Sequence, residues 1–384
     1  MSRSDRTDKS LIGRWWWNLD RWTFFGILAL MATGVVLVTA ASTAVAERLG
    51  LGPFYFVIRH LVLLVPALGI MIALSMAEKK TLWRIASAGL GVSAALIACS
   101  ILFGPEIKGA TRWIQVFGFS LQPSEFAKPF LAVTAAWLIA RKKSDPAFPG
   151  YALSISAFCV VLALLLLQPD LGMSIVLTAI ISVEIFLAGL PMILVFGLIA
   201  AGAGGLVLAY LFFPHVAARV DLFLDPSSGD NYQVQKSLDA FANGGLLGTG
   251  PGHGEVKLLL PDAHADFIFS VAGEEFGMIA TLFLVMLLGF IFLRSLARAL
   301  SSDDLFVTLA AGGLLTQFAL QSFIHMASSL QLLPAKGMTL PFVSYGGSSL
   351  LAMAIGMGML LCLTRKRMPA NNAKIVDKRS LHYA

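Results

Sequence analysis

The chain has 384 residues, 57% of them hydrophobic and 13% charged, with a mean hydropathy of +0.80. A soluble domain of this length has no use for so much apolar side chain, so soluble enzymes and nucleic-acid-binding proteins are excluded and an all-α polytopic membrane protein is expected. The net charge of +6 is read as a topology signal rather than as a nucleic-acid footprint.

Residues 1–22, "MSRSDRTDKSLIGRWWWNLDRW", are basic and rich in Trp. They lack an apolar h-region followed by a small-residue cleavage site, and read as a cytoplasmic tail with interfacial aromatics. A bilayer crossing needs about 20 apolar residues per helix. Ten spans are expected, at 23–46, 54–76, 85–103, 123–140, 151–168, 174–190, 192–213, 267–293, 306–332 and 346–364, forming one membrane domain over 23–364 before a cytoplasmic tail at 365–384. With the N-terminus inside, the inner segments hold 19 Lys and Arg and the outer segments seven. That bias places both termini in the cytoplasm. Cys99, Cys159 and Cys362 sit in apolar runs without CxxC spacing and read as small buried hydrophobes.

The unusual sequence then falls on the outer face. In the fourth span Glu125 and Lys128 are three residues apart, and one helix face brings them together as an ion pair. In "LLLLQPDLGM" Pro169 breaks a helix beside Asp170. Broken helices occur at membrane depth only where they face protein or water. Arg59, Glu184, Glu274 and Glu275 are further charges inside apolar segments, each costly in lipid.

The outer loop 214–266 is long. Within it 231–243 spaces Val234, Leu238 and Phe241 as a short amphipathic helix, ended by Gly244 and Gly245. "GGLLGTGPGHGEVK" follows, with six glycines in fourteen residues, either a flexible hinge or a backbone built for close approach to a ligand. It has no GK[ST] and is not a nucleotide-binding loop. Asp266 stands at the lip of the eighth span. It reads either as that helix's N-cap or as a reactive carboxylate. His264 with Asp266 offers two metal ligands, too few for a site.

Four stretches, "GATRWIQVFGFSLQPSEFAKPFLAVTAAWLIA" (109–140), "LLLLQPDLGMS" (164–174), "GGLLGTGPGHGEVKLLLPDAHADFIFSVAGEEFG" (244–277) and "LLPAKGMTLPFVSYGGSS" (332–349), resemble the signatures of the SEDS family of shape, elongation, division and sporulation proteins. The resemblance covers about 20–365, and the last stretch is closer to the division branch than to the elongation branch. It departs from the family pattern in the ninth span, at His325, Ala327 and Gln331.

The resemblance implies a peptidoglycan glycosyltransferase that polymerises lipid II, an undecaprenyl-pyrophosphate-linked disaccharide pentapeptide, on the outer face of the cytoplasmic membrane at the division septum. It implies a class B penicillin-binding protein as crosslinking partner, alongside other divisome proteins and membrane lipids. It places the catalytic carboxylate at Asp266, within His264-Ala265-Asp266-Phe267. Arg112-Trp113 and Gln122 to Glu125 with Lys128 match further family motifs. Because a pyrophosphate leaves without protonation, one base and some positive charge suffice, unlike the two carboxylates of a glycosidase. Asp266 is assigned as base toward the acceptor hydroxyl. Arg59, Arg112, Lys257 and Lys336 are candidate diphosphate contacts, with Mg2+ or Mn2+ as a possible supplement. His264 and Ser344 complete the expected substrate-binding set. Trp113 reads as a support for a sugar face or as an interfacial anchor, and Gln122, Glu125, Lys128 and Asp170 as structural or activating. A lipid II flippase and a non-catalytic scaffold are the rival readings.

Overall fold

The computed structural model describes residues 10–106, 111–116, 118–189, 191–212, 217, 221, 232–334 and 337–365. Each expected span coincides with a helix, because within lipid the backbone must satisfy its own hydrogen bonds. A short α1 (Leu11–Asn18) precedes α2 (Arg21–Arg48), α3 (Tyr55–Met76), α4 (Lys79–Phe103), α5 (Pro123–Ser144), α6 (Gly150–Leu167), α7 (Leu171–Leu187) and α8 (Met192–Phe212). The amphipathic α9 (Tyr232–Gly244), α10 (Ile268–Leu300), α11 (Leu305–Ser329) and α12 (Gly347–Leu363) complete the set. Six of these (α2, α3, α4, α6, α10 and α11) are long and apolar enough to cross a membrane, and α7 and α12 are shorter apolar helices.

The two largest boundary differences from expectation are in α4 and α10. Helix α4 starts at Lys79 rather than 85, and α10 runs to Leu300 rather than 293. In both cases the helix continues through basic residues, whose long stems allow the charge to reach water.

The most and the least apolar of these six helices differ sharply in burial. Helix α10 has the highest hydropathy, 2.6, and only 28% of its apolar window is buried; α11 has 1.4 and is 72% buried. Lipid-facing helices need apolar side chains, whereas interior helices need small ones that let neighbours approach. Helix α5 shows the interior pattern, burying Ala127, Ala132, Ala135 and Ala136 against α4, α11 and α12. Cys99 and Cys159, expected inside, point outward from α4 and α6, and only Cys362 is buried.

The loop after α4 contains a hairpin not expected from sequence, Ile114–Val116 paired antiparallel with Phe119–Leu121. Gly118, at φ 77°, makes the turn.

Candidate active site

The glycine-rich segment after α9 is a clasp, not a hinge. Helix α10 is broken at Gly277, where φ is 79° and ψ 179°. The loop supplies the bonds that the break removes. Thr249 N donates to Glu274 O (2.9 Å) and Gly250 N to Glu275 O (3.0 Å), while Met278 N donates back to Gly245 O (3.0 Å). A Cβ on Gly248 would lie 2.3 Å from Glu275 O, and one on Gly277 2.4 Å from Gly248 N. Both positions therefore exclude any side chain.

Two buried carboxylates hold the clasp closed. Glu274 accepts from Val256 N (2.7 Å), Lys257 N (2.8 Å) and Asn243 Nδ2 (2.9 Å). Glu275 accepts from Gly252 N (3.0 Å) and pairs with Lys257, which also donates to Ala40 O on α2 (2.9 Å). Both Glu residues and Lys257 are buried. Charge-assisted bonds of this kind are strong. The Lys257 ammonium, expected at a diphosphate, is instead committed to Glu275.

Asp266 follows this clasp. The N-cap position of α10 falls on Phe267, with no side-chain cap bond, so Asp266 is not the helix cap. It ends a run of turns in which Ala265 N and Asp266 N both donate to Asp262 O (2.9 and 3.0 Å). The turn before α12 fixes this backbone from the other side. Tyr345 N donates to His264 O (2.9 Å) and Ser344 Oγ to Ala265 O (2.7 Å), while Leu340 N donates to Ser344 Oγ (2.9 Å). Ser344 thus positions the segment.

The Asp266 carboxylate is partly exposed and lies over Gly337, where a Cβ would come within 3.3 Å of Oδ2. His264 is packed between the rings of Phe56 (4.3 Å) and Tyr345 (5.1 Å). Burial lowers its pKa to about 4, with Asp262 opposing and Arg48 adding to the shift, so the ring is neutral near pH 7. It serves as packing. Among the described residues no three His, Cys, Asp or Glu side chains gather to hold a metal.

Arg59 adjoins this region from α3. It donates to Gly118 O (3.0 Å), stands 4.9 Å from the Tyr55 ring and lies near enough to the Tyr345 hydroxyl to influence it. Burial raises the Tyr345 phenol, and Arg59 pulls it the other way.

Arg112, the other expected phosphate contact, braces the break between α6 and α7. Its guanidinium donates to Gln168 O (3.2 Å) and Pro169 O and lies 3.8 Å from Asp170. Asp170 caps α7 through Met173 N (3.3 Å) and accepts from Gln122 Nε2 (3.4 Å). Trp113 leads from Arg112 into the hairpin and is partly exposed. Deeper in the bundle Lys128 pairs with Glu125 at 2.8 Å and donates to Gln321 Oε1 (3.0 Å). Gln321 in turn donates to Ser349 Oγ (3.0 Å) and Thr339 O (3.3 Å). A continuous polar network thus joins α5 and α11 to the turn that holds Asp266. Lys336 lies outside the described residues.

Sequence reasoning passed over Tyr345, Gln321, Thr339 and Gly337, and it gave Glu274 and Glu275 no partner. The signal for the two Glu residues was present. Two adjacent acids in an apolar run require donors, and a glycine-rich loop offers backbone N–H groups in quantity.

Residues 21–368 match the family model described as "Cell cycle protein" (FTSW_RODA_SPOVE). The chain is 40% identical over 370 residues to a Caulobacter vibrioides protein named "Probable peptidoglycan glycosyltransferase FtsW", covering 96% of this chain and 95% of that one. It is 37% identical to an Aeromonas salmonicida protein of the same name, covering 89% of each. Among solved structures it is similar to a chain from "Structural coordination of polymerization and crosslinking by a peptidoglycan synthase complex", with TM-score 0.74, 29% identity and coverage of 90% and 97%. It is also similar to the Thermus thermophilus rod shape determining protein RodA, with TM-score 0.67, 27% identity and coverage of 92% and 99%. The hydropathy, the helix order and these similarities together make the chain a multi-pass membrane protein that belongs to the SEDS, or cell cycle protein, family.

Proposed function

We propose that this protein is a peptidoglycan glycosyltransferase of septal wall synthesis. It polymerises lipid II at the outer face of the bacterial cytoplasmic membrane, with Asp266 as general base. The carrying observation is the contrast among the carboxylates of the 262–277 region. Glu274 and Glu275 are buried in backbone and Lys257 bonds, whereas Asp266 is partly exposed on a backbone fixed by Ser344 and Tyr345.

In this mechanism Asp266 accepts the proton of the 4-hydroxyl of an acceptor GlcNAc as that oxygen attacks the anomeric carbon of the lipid-linked donor. The new C–O bond forms while the bond to the pyrophosphate breaks. The electron pair leaves with the lipid pyrophosphate, which needs no acid. A single in-line displacement inverts the α-linked donor to a β-1,4 product. Among the described cations of the site, Arg59 is the partly exposed group best suited to the developing diphosphate charge. Among the described residues no three candidate metal ligands gather here, and the steps above are those of the chain's own side chains.

The 19-to-7 charge bias supports ten crossings with both termini in the cytoplasm. A cysteine placed at the exposed Leu247, in a background lacking the three native cysteines, should react with an impermeant thiol reagent on intact cells. Protection there would reverse the orientation. The relative solved in a peptidoglycan synthase complex supports a crosslinking partner of the class B penicillin-binding type. The activity test is incubation of purified protein and partner with lipid II. Glycan strands are expected, and their absence with an intact complex would leave the scaffold reading.

A further inference from the structure

A second polar site lies at the opposite end of the bundle from Asp266. A cleft of about 580 Å³ opens between the start of α4, the end of α5 and the α10–α11 connection. Lys79, Lys80, Arg141 and Lys143 line it, facing Asp303 and Asp304. Lys79 is paired with Asp304, which also caps α11 through Phe306 N. Lys80, Arg141 and Lys143 are exposed and make no ion pair among the described residues.

The cleft's apolar wall is a pair of stacked indoles, Trp83 on α4 and Trp137 on α5, with ring centroids 3.9 Å apart and planes within 7°. Arg141 covers Trp137 at 5.5 Å and Phe148 at 4.4 Å. Cations at the end of α5 suit the helix dipole. That does not account for Lys80, which approaches from α4, where no side chain caps the helix at Glu78.

We propose that this cleft binds the headgroup of an anionic phospholipid from the inner leaflet. The inner-leaflet assignment rests on the topology reading above. Indoles mark the level of the membrane interface, and clustered basic groups at that level attract lipid phosphates. Three unpaired cations against Asp303, with Asp304 neutralised by Lys79, complement a phosphodiester with no compensating ammonium. A zwitterionic headgroup would carry its own cation into the same field. The volume is that of a small-molecule site, and the Trp pair gives the glycerol an apolar surface to lie against. The site is separate from the polymerising centre and would tie the protein to anionic regions of membrane.

The test uses purified full-length protein in detergent with equal amounts of phosphatidylglycerol and phosphatidylcholine, retained lipid being read by native mass spectrometry. The protein should retain phosphatidylglycerol preferentially. The variant carrying Lys80→Gln, Arg141→Gln and Lys143→Gln should lose that preference by on the order of a hundredfold, and each single replacement by about fivefold. The single variants carry the test should the triple variant fail to show a cooperative melt. Lys236→Gln, at a partly exposed lysine near the other end, should change nothing. Equal retention of both lipids, or a preference unaltered in the variants, overturns the proposal. Displacement of the lipid by glycerol phosphate at the same concentration would assign the cleft to a soluble phosphate and overturn the lipid source. Because the assay needs no orientation, it succeeds or fails independently of the cysteine-labelling test of topology.

Discussion

The two ends of the helix bundle use charge differently. At the end opposite Asp266, ionic groups join helix to helix directly. Asp20, buried before α2, takes a bidentate contact from Arg294 and a second from Arg298 (2.9 Å) on α10, and Arg298 also donates to Thr364 O (3.1 Å) beyond α12. Arg365 donates to Ser75 O and Ala77 O at the end of α3. At the Asp266 end the charged groups chiefly shape loops: Glu274 and Glu275 gather loop N–H groups beside the Lys257–Glu275 pair, and Arg112 gathers carbonyls beside Asp170. One end is latched; the other is a set of shaped loops around an accessible carboxylate. A flippase must open both ends in turn, whereas a polymerase needs only the second, so the contrast favours catalysis over transport.

The largest expected effect lies at Asp266. Asp266→Asn keeps size and removes the proton acceptor, so polymerisation of lipid II should fall by about 10²–10⁴ in rate. Expression, melting behaviour and partner binding should be unchanged. The matching change at the latched end, Asp20→Asn, should lower stability and leave the rate per folded molecule near wild type. Near-normal synthesis by Asp266→Asn would remove Asp266 from the chemistry. A rate collapse in well-folded Asp20→Asn would dissolve the contrast between the two ends.

Next come the buried pairs. Lys257→Met leaves Glu275 unpaired in a site with no access to water, a change worth about 3–5 kcal/mol. The clasp should loosen, with faster hydrogen exchange at Thr249 and Gly250, whose amides bond across to α10. Adding Glu275→Gln should restore part of the loss. Removing either charge of the Glu125–Lys128 pair should cost a similar amount if the survivor stays ionised. Exchanging the two residues should recover less here than at an isolated pair, because Lys128 also donates to Gln321. Full recovery by the exchange would mean that the link to Gln321 and Ser349 is idle.

Much of the fold was legible because lipid imposes a simple rule: each apolar run of sufficient length becomes a helix. The Glu125–Lys128 pair was legible for a related reason, since helix periodicity alone brings residues three apart together. The partners of Arg112 and Lys257 were not. Arg112 reaches Gln168, 56 positions away, and Lys257 reaches Ala40, 217 positions away; no local pattern encodes such contacts. Both looked like ligands for a phosphate because a cation near a membrane surface reads alike whether it meets substrate or a buried acceptor. The hairpin at 114–121 was within reach, since "IQVFGFSL" carries its turn glycine between short β-prone runs. The length of the surrounding loop hid it. The register of Asp266, one residue before the cap position rather than on it, depends on the turn at Asp262, where φ is 52°.

The smallest effect concerns pH at the segment before α10. His264 is buried and neutral, with a pKa lowered from 6.5 to about 4. Between those values the unfolded chain binds a proton that the folded chain refuses, so stability rises with pH across this window and falls on acidification. The shift corresponds to at most about 3 kcal/mol once the medium is below pH 4. His264→Phe keeps an aromatic ring against Phe56 and Tyr345 and removes the titration. The lost Nδ1 makes no hydrogen bond, so the variant should be close to wild type at pH 7.5. From pH 6.5 to 4.5 the amide of Tyr345, bonded to His264 O, should lose protection in the wild type, after correction for intrinsic exchange, and lose less in the variant. Two other buried histidines, His60 and His325, are common to both proteins, so the difference between the two isolates His264. Parallel loss of protection in wild type and variant would show that the ring does not control this turn, and that acid acts on this segment through another group.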